Sequence, residues 1–428
     1  GNFRLGQNAG AGSTCTAVVE SGTLDLYGSA VSVYVGESSG APAVFTQNGG
    51  VVCGGGTGNN DLILANAAGA EGTYNLNGGI LRIRQIRQGN TGATKAEFNF
   101  NGGTLLAKSS LATFFQDVQA AYVQAGGAWI DTTNNNVTIN QPLLAPPAPA
   151  LSGGLTKLGS GTLTLGGAST YTGPTVVREG TLATGYGKHP PASSLSLSNG
   201  TVLTLDVTGG FASVAAPATA LGADTVLNLN YGTVYGNPTL PALSDQSTLG
   251  TVLTTLGDNI VINISASGLV AGQFPLIKYA GAIGGAGFGA LKLGQVPPGV
   301  IAKLVNNTAN GSVDLDISLV VRALSWAGNV NGDWDINTTA NWRDPFYVSS
   351  TYLEYGTTNL VGDIVTFDDT LDVGGLNTNI NLTTTLHPAV VNVDNNVYDY
   401  VFGGPGKFSG ETVLNKSGGA GLIINTAN

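Results

Sequence analysis

The 428-residue chain has little charge, sulfur or histidine. It contains no methionine, two cysteines and two histidines, and only 10% of its residues are charged, against about 25% in an ordinary soluble domain. Lysine and arginine form no cluster, which argues against nucleic acid or an anionic membrane as a partner. No apolar run reaches the roughly 18 residues of a membrane-spanning helix, so no transmembrane segment is predicted.

The same scarcity restricts the available chemistry. His189 and His387 each precede a proline, which favours extended loop backbone. No Gly-x-Ser-x-Gly elbow and no phosphate-binding loop occurs in the sequence. We therefore predict no catalytic residues and no cofactor, and we expect that the chain is not an enzyme. Cys15 and Cys53 lie in neighbouring repeats and could form a disulfide in an exported protein, although their spacing leaves the pairing open.

Glycine, by contrast, is abundant, with 65 residues, and it marks a repeat. Four copies of aromatic-x-x-Asn-Gly-Gly, the last with alanine in place of asparagine, begin at Phe45, Tyr74, Phe98 and Tyr122. The repeat asparagines are Asn48, Asn77 and Asn101. Alternating polar and apolar residues around each glycine turn indicate strands, and a unit of about 24 residues is one coil of a β-solenoid. Stacked coils would place the four aromatic rings in one buried column.

A second pattern begins at Leu155. It reads Leu-x-Lys-x-Gly-x-Gly-x-Leu-x-Leu, then Tyr-Thr-Gly, a strand and Gly-Thr-Leu, and its marker residues are Gly159, Gly161, Tyr171, Gly173 and Gly180. This stretch closely resembles the autotransporter-associated β-strand repeat, also called the passenger-associated transport repeat. A cut-off second copy begins at Leu414, so we expect the sequence to be a mature or excised piece of a longer exported protein. The order of the segments also resembles that of very large surface proteins of Gram-negative bacteria.

The expected fold is all-β, a right-handed parallel β-helix or β-solenoid with loop insertions and little or no α-helix. Ser110 to Ala121 is the best helical candidate. The predicted domains are N-terminal β-helix coils over 1–140, a proline-rich boundary loop over 141–153, the autotransporter-associated β-strand repeat over 154–207, a β-rich solenoid segment with insertions over 208–321, and a tryptophan-rich start with further coils and a truncated repeat over 322–428. The right-handed parallel coiling is what the family resemblance implies.

Three tryptophans are spaced by eight positions, at Trp326, Trp334 and Trp342. Exposed rings at these positions could stack on sugar rings, which is a route to glycan binding. Large apolar rings more often seal a core, and we favour that interpretation.

Acidic and amide residues near the tryptophans raise two further alternatives. Asn329, Asn331, Asp333 and Asp335 place oxygen atoms at alternate positions, which is a weak calcium-binding pattern because no glutamate closes it. A second acidic group consists of Asp363, Asp368 and Asp369. For both groups we favour hydrogen bonding in turns over calcium binding or catalysis.

The residues and the resemblance together predict a structural or adhesive protein, an adhesin or filament, in the extracellular space or at the surface of a Gram-negative bacterium. Its expected partners are the chain itself, by head-to-tail stacking or by continuation of a longer chain, and a surface or environmental polysaccharide. Two other functions stay open. A carbohydrate-binding module would need solvent-facing aromatic rings in a groove, and a polysaccharide-active β-helix enzyme would need acids and a base converging in one cleft.

Overall fold

The computed structural model describes residues 1–7, 13–26, 31–54, 60–208, 212–245, 250–356, 360–370 and 377–426. The chain falls into two compact units. Unit 1 comprises Gly1–Gly268, Gln273–Gln295 and Leu304–Leu315, and unit 2 comprises Leu269–Gly272, Val296–Lys303 and Asp316–Asn428. Among the described residues, no helix has the length and hydrophobicity of a membrane span.

Three sheets of unit 1 have strands that pair in parallel, one coil apart. Sheet 1 consists of Phe3–Leu5, Val33–Val35, Asp61–Leu64, Gln85–Gln88, Leu111–Phe115, Val137–Ile139, Thr162–Leu165, Thr181–Gly185, Val202–Asp206, Val226–Thr233, Ile260–Ser267 and Leu291–Leu293. Sheet 2 consists of Cys15–Val19, Pro42–Gln47, Glu71–Leu76, Lys95–Phe100, Ala120–Val123 and Leu143–Leu144. Sheet 3 consists of Thr23–Leu26, Val51–Gly54, Ile80–Ile83, Thr104–Ala107, Ala128–Asp131, Leu155–Leu158, Thr175–Val177, Leu195–Leu197, Ala218–Leu221, Val252–Thr255 and Gly284–Gly285.

The strands form because apolar and polar residues alternate along them. In Thr162–Leu165, for example, Leu163 and Leu165 are buried and the two threonines are partly exposed. Pairing between coils aligns the inward residues, so that Leu163 lies between Val137 and Leu182 in neighbouring strands. Burial of each inward leucine or valine contributes about 1.5–3 kcal/mol to the free energy of folding, and this burial drives the addition of one coil to the next.

The coils become shorter where sheet 2 ends. In sheet 1, Leu163 pairs with Leu182, and Leu182 pairs with Leu203. Each of these two coils contains fewer residues than the next coil, which runs from Leu203 to its partner Leu227. Sheets 1 and 3 continue past the predicted boundary loop at 141–153, since Leu155–Leu158 pairs directly with Ala128–Asp131 and Thr162–Leu165 pairs directly with Val137–Ile139. The predicted domain boundaries stay predictions.

Unit 1 has three further elements, and three strands have residues in both units. The further elements are the strands Val214–Ala215 and Leu243–Ser244 and the 3-10 turn Phe288–Ala290. The strand Gly272–Lys278 lies in unit 1 apart from its first residue. The other two shared strands are Val300–Asn307 and Ser312–Val320.

Unit 2 combines parallel and antiparallel pairing. Its largest sheet consists of Ala323–Trp326, Trp342–Arg343, Ser349–Ser350, Glu354–Tyr355, Val361–Asp368, Pro388–Asp394 and Val413–Ser417. A second sheet consists of Asp333–Trp334, Asn379–Leu382, Tyr400–Gly403 and Leu422–Ile424, and a third of Thr385–Leu386 and Lys407–Phe408. Most pairs are parallel, but Trp342–Arg343 runs antiparallel to both of its neighbours. The antiparallel hairpin of Trp342–Arg343 and Ser349–Ser350 departs from the purely parallel coils that the sequence predicted.

The described residues thus confirm the all-β parallel β-solenoid and contain no α-helix. The helical candidate at 110–121 instead forms the strands Leu111–Phe115 and Ala120–Val123. Phe114 and Phe115 are fully buried, and Leu111 pairs with Val137 of the next coil. Packing and backbone pairing between coils therefore override the local helical tendency of this segment.

Candidate functional site

The repeat asparagines form a hydrogen-bonded ladder on the surface of unit 1. Asn77 Nδ2 donates to Asn48 Oδ1 at 2.9 Å, and Asn101 Nδ2 donates to Asn77 Oδ1 at 3.2 Å. Asn48 donates to the carboxylate of Glu20, and Asn101 accepts from the backbone N–H of Gly126 at 3.0 Å. Each amide therefore ties its own turn to the turn of the preceding coil, which explains why asparagine recurs at this position.

Three of the four repeat aromatics form the predicted column. The rings of Phe45 and Tyr74 stack with centroids 4.9 Å apart, and those of Tyr74 and Phe98 with centroids 5.4 Å apart. The prediction is wrong for Tyr122, because Ala121 pairs with Phe98 and Tyr122 points to the outer face.

The misplacement comes from a longer turn in the fourth repeat. Before this turn Phe98 pairs with Ala121, and after it Thr104 pairs with Trp129. The stretch from Ala121 to Trp129 is longer than the stretch from Phe98 to Thr104, so the fourth turn contains extra residues. A shift of one position in a strand moves a side chain to the opposite face, and Tyr122 consequently takes the outer one.

The second pattern centres on a buried lysine. The Nζ of Lys157 donates to Thr132 Oγ1 at 2.9 Å in the preceding coil, and to the carbonyl of Glu179 at 3.0 Å in the following coil. It also donates to the carbonyls of Leu158 and Gly159 in its own turn. Burial lowers the pKa of Lys157 to about 8, and the carboxylates of Asp131 and Glu179 oppose this shift, so the ammonium form predominates at pH 7. Lys157 therefore connects three successive coils.

The cut-off copy near residue 414 repeats part of this arrangement. The Nζ of Lys416 donates to the carbonyls of Ser417 at 2.6 Å and Gly418 at 2.9 Å, the same two positions that Lys157 contacts in its own turn. Unlike Lys157, Lys416 is exposed. The two lysines thus share the contacts within their own turns but differ in burial.

The marker glycines lie where the turns of successive coils touch. A Cβ on Gly161 would lie 2.0 Å from the carbonyl oxygen of Asn135 in the coil before, and a Cβ on Gly180 would lie 2.5 Å from the carbonyl oxygen of Gly161. Gly180 also has a φ of +65°, which favours glycine. Gly159 and Gly173 face equally close backbone atoms. The glycines therefore allow the turns to stack in direct backbone contact.

The marker tyrosine belongs to a buried polar cluster. The hydroxyls of Tyr171 and Thr175 lie 2.6 Å apart, and Thr175 also contacts Ser193 Oγ at 2.9 Å and His189 Nε2 at 3.2 Å. His189 Nδ1 lies 2.8 Å from the carbonyl oxygen of Ala215. Burial lowers the pKa of His189 to about 4 and raises that of Tyr171, so both side chains are neutral at pH 7. His189 lies outside the strands, as predicted, but its burial and its contacts could not be seen in the sequence.

The three spaced tryptophans are in the core of unit 2. Each is at most 1% exposed. The ring centroids of Trp326 and Trp342 are 4.9 Å apart, and those of Trp334 and Trp342 are 5.1 Å apart. Phe367 packs against all three rings. Stacking on a glycan would require solvent-facing rings, so the positions of these tryptophans match the core interpretation that the sequence favoured.

The oxygen-rich segment forms hydrogen-bonded turns, except that Asp333 begins the strand Asp333–Trp334. Asn331 Oδ1 accepts from the backbone N–H of Asp333 and from Asn341 Nδ2, both at 2.8 Å. Asp333 Oδ1 accepts from Asn381, and Asp335 accepts from the N–H and the hydroxyl of Thr339. Asn329 is exposed. Within the described residues, no three acidic, cysteine or histidine side chains converge on a position that could bind a metal ion.

The second acidic group contains one residue of a different kind. Asp368, the last residue of its strand, accepts the backbone N–H of Thr370 two residues on, as the turn interpretation predicted, whereas Asp369 accepts the N–H of the distant Asn396. For Asp363 the turn interpretation is wrong. This residue lies inside the strand Val361–Asp368 and is fully buried, and its carboxylate accepts two hydrogen bonds from the guanidinium of Arg322, at 2.6 and 3.2 Å. It also accepts from the hydroxyl of Tyr355 at 3.0 Å.

The remaining histidine has a carboxylate partner. His387 Nδ1 lies 3.1 Å from Glu354 Oε2, and the backbone N–H of His387 donates to Glu354 Oε1 at 2.7 Å. The hydroxyl of Tyr352 donates to the same oxygen at 3.1 Å. This pair joins the start of the strand Pro388–Asp394 to Glu354–Tyr355, and the sequence offered no signal for it.

The two cysteines lie in different sheets. Cys15 begins a strand of sheet 2 and is partly buried. Cys53 is in sheet 3, where its backbone pairs with Asp25, and its side chain is outside the described residues. The disulfide therefore stays a prediction.

The geometry of the second pattern agrees with a comparison of the sequence with known families. Residues 155–183 match the family model described as Passenger-associated-transport-repeat. No curated protein and no solved structure matches the chain. The family match covers a small part of the chain and confirms the repeat that the Leu-x-Lys-x-Gly-x-Gly pattern predicted. Such repeats belong to exported passenger proteins, and this chain contains a passenger-associated transport repeat as part of a parallel β-solenoid.

Proposed function

We propose that the chain is a structural and adhesive scaffold displayed outside a Gram-negative cell. The observation that carries the proposal is the continuity of backbone pairing in unit 1, where 12 strands of sheet 1 pair in parallel without a break among the described residues. At about 4.8 Å per strand, this sheet spans on the order of 50 Å. Force along that direction must separate several hydrogen-bonded sheets at once, which favours a mechanical role.

Local contacts support a stiff stack. The asparagine ladder connects the turns of neighbouring coils, and Lys157 connects three coils at one corner. The marker glycines let adjacent turns touch, as at Gly161 and Gly180. In a repeat architecture, stability is the sum of such contacts between neighbours, so each new coil is stabilised by the one before it. Stepwise stacking of this kind suits folding during export, since burial of apolar surface supplies the free energy.

The proposal includes a non-enzymatic role. The carboxylates that first suggested chemistry accept hydrogen bonds in turns, as at Asp335, from a neighbouring strand, as at Asp333, or from Arg322, as at Asp363. Passenger-associated transport repeats are not typically enzymatic. Self-association and contact with a polysaccharide belong to the proposal as its partners.

Stretching of single molecules tests the mechanical role. The full chain, attached at both ends, should resist extension and then lengthen in steps. One coil of about 24 residues releases on the order of 80 Å of chain, at roughly 3.5 Å per residue. Extension without resistance, as for an unstructured chain, would contradict the proposal.

Labelling of intact cells tests the location. An antibody raised against the exposed segment around Tyr235 should bind intact, unpermeabilised cells of the producing organism. Labelling only after permeabilisation would contradict an exposed surface location.

A further inference from the structure

A hairpin in unit 2 presents a cluster of exposed apolar side chains. It connects Trp342–Arg343 with Ser349–Ser350. Phe346, Tyr347 and Val348 are 83%, 78% and 59% exposed, and the neighbouring Pro345 is also exposed. Single exposed apolar residues are common on protein surfaces, but four in succession on one loop form a patch. We call residues 345–348 the aromatic tip.

The aromatic tip has a fixed backbone. Asp344 Oδ1 accepts the N–H groups of Phe346 at 2.9 Å and of Val348 at 2.8 Å. The backbone groups of Asp344 also pair with Tyr347 and Val348. Tyr347 has a φ of +62°, a conformation that non-glycine residues rarely adopt. The rings are therefore held on an ordered loop, which lowers the entropy cost of binding a ligand.

Neutral polar side chains lie beside the base of the hairpin. The backbone N–H of Asn337 donates to the carbonyl of Tyr352 at 2.7 Å, and Thr351 Oγ1 donates to Asn337 Oδ1 at 3.2 Å. Asn337 and Thr338 are exposed. Residues 336–351, all of which the structure describes, contain one arginine and one aspartate. The surface around the aromatic tip therefore combines two aromatic rings with amide and hydroxyl groups and has almost no net charge.

We propose that the aromatic tip is a contact site for a neutral polysaccharide. Aromatic rings pack against the apolar C–H faces of sugar rings, while amides and hydroxyls exchange hydrogen bonds with sugar hydroxyls. The inference deepens the proposed adhesive function and rests on it. It assigns the contact to residues other than the three tryptophans considered in the sequence.

Area and charge favour a polysaccharide over two other partners. Two aromatic side chains cover on the order of 400 Å², whereas a stable protein interface buries about 800 Å² on each partner. An anionic membrane surface attracts clusters of basic residues, but the segment has one arginine, and the chain has a net charge of −10.

Affinity electrophoresis of the full chain tests the proposal. The gels contain a mixed-linkage β-glucan, a galactomannan or a dextran, and co-sedimentation with vesicles of phosphatidylcholine and phosphatidylglycerol runs in parallel. We compare the wild type with the double variant F346S/Y347S and with Tyr235→Ser, a matched control because Tyr235 is 99% exposed in unit 1. At least one polysaccharide should retard the wild type. The double variant should bind it at least tenfold more weakly, and the control should bind it as the wild type does.

Three results would overturn the proposal: no retardation by any of the polysaccharides, retardation that the double variant keeps, or tip-dependent binding to vesicles alone. Near-ultraviolet circular dichroism of the buried tryptophans checks that the double variant is folded. Because stretching and cell labelling do not depend on the aromatic tip, failure here would leave those two tests of the scaffold role unaffected.

Discussion

Replacement of Lys157 by methionine tests whether contacts between coils stabilise the passenger repeat. Methionine keeps the length of the side chain but has no hydrogen-bond donor. The lysine ammonium donates three hydrogen bonds at a time, and its oxygen partners lie in three successive coils. At about 1.5–3 kcal/mol for each hydrogen bond from a charged group, the gross loss is about 4–9 kcal/mol. Removal of a buried charge returns several kcal/mol of desolvation, so we expect a net loss of about 3 kcal/mol.

Lys416→Met is the matched control. Lys416 contacts the two carbonyls of its own turn, as Lys157 does, but it is exposed, so water can replace those contacts. We expect this variant to lose less than about 0.5 kcal/mol. Denaturant unfolding gives the stability of both variants, and hydrogen exchange of residues 155–183 shows whether the loss is local. An equal loss in the two variants would refute the reasoning, and so would a gain in stability for Lys157→Met.

Three further substitutions test other parts of the fold. Gly180→Ala should lower the free energy of unfolding by about 3 kcal/mol or more in chemical denaturation, because the added Cβ would clash with the carbonyl of Gly161. Gly200 also has a positive φ but faces open space, so Gly200→Ala should cost only about 1 kcal/mol. Equal losses in the two variants would mean that the backbone conformation alone, and not the clash, determines the cost. The pKa of His189 is about 4 in the folded chain and about 6.5 in the unfolded chain, so the unfolded chain binds more protons between these pH values. The free energy of unfolding should therefore fall by up to about 3 kcal/mol as the pH drops from 6.5 to 4. His189→Gln should reduce this dependence on pH, and an unchanged dependence would contradict the assignment. Asp363→Asn should cost about 1–3 kcal/mol because the guanidinium of Arg322 loses its carboxylate partner, and a thermal unfolding curve like that of the wild type would contradict that role.

The sequence predicted those features that repeat along the chain. Asn48, Asn77 and Asn101 recur because each amide contacts the next one, and Gly161 and Gly180 recur because each turn touches another turn. Features of this kind recur at a regular spacing, so they can be recognised in a single amino-acid sequence. The error at Tyr122 has the same origin, since extra residues in one turn change the register without altering the spacing of the repeat.

The contacts that the sequence did not predict occur once and join distant residues. Arg322 and Asp363 are 41 residues apart, and Glu354 and His387 are 33 apart, without a motif at either end. Both pairs lie in unit 2, where antiparallel hairpins interrupt the parallel coils, so strict coil spacing could not align the partners. The aromatic tip arises in the same way, because the hairpin that buries Trp342 also projects Phe346 and Tyr347 into solvent. In this protein, the periodic part of the sequence therefore encodes the stacked coils, and the proposed binding site lies where the chain departs from the period.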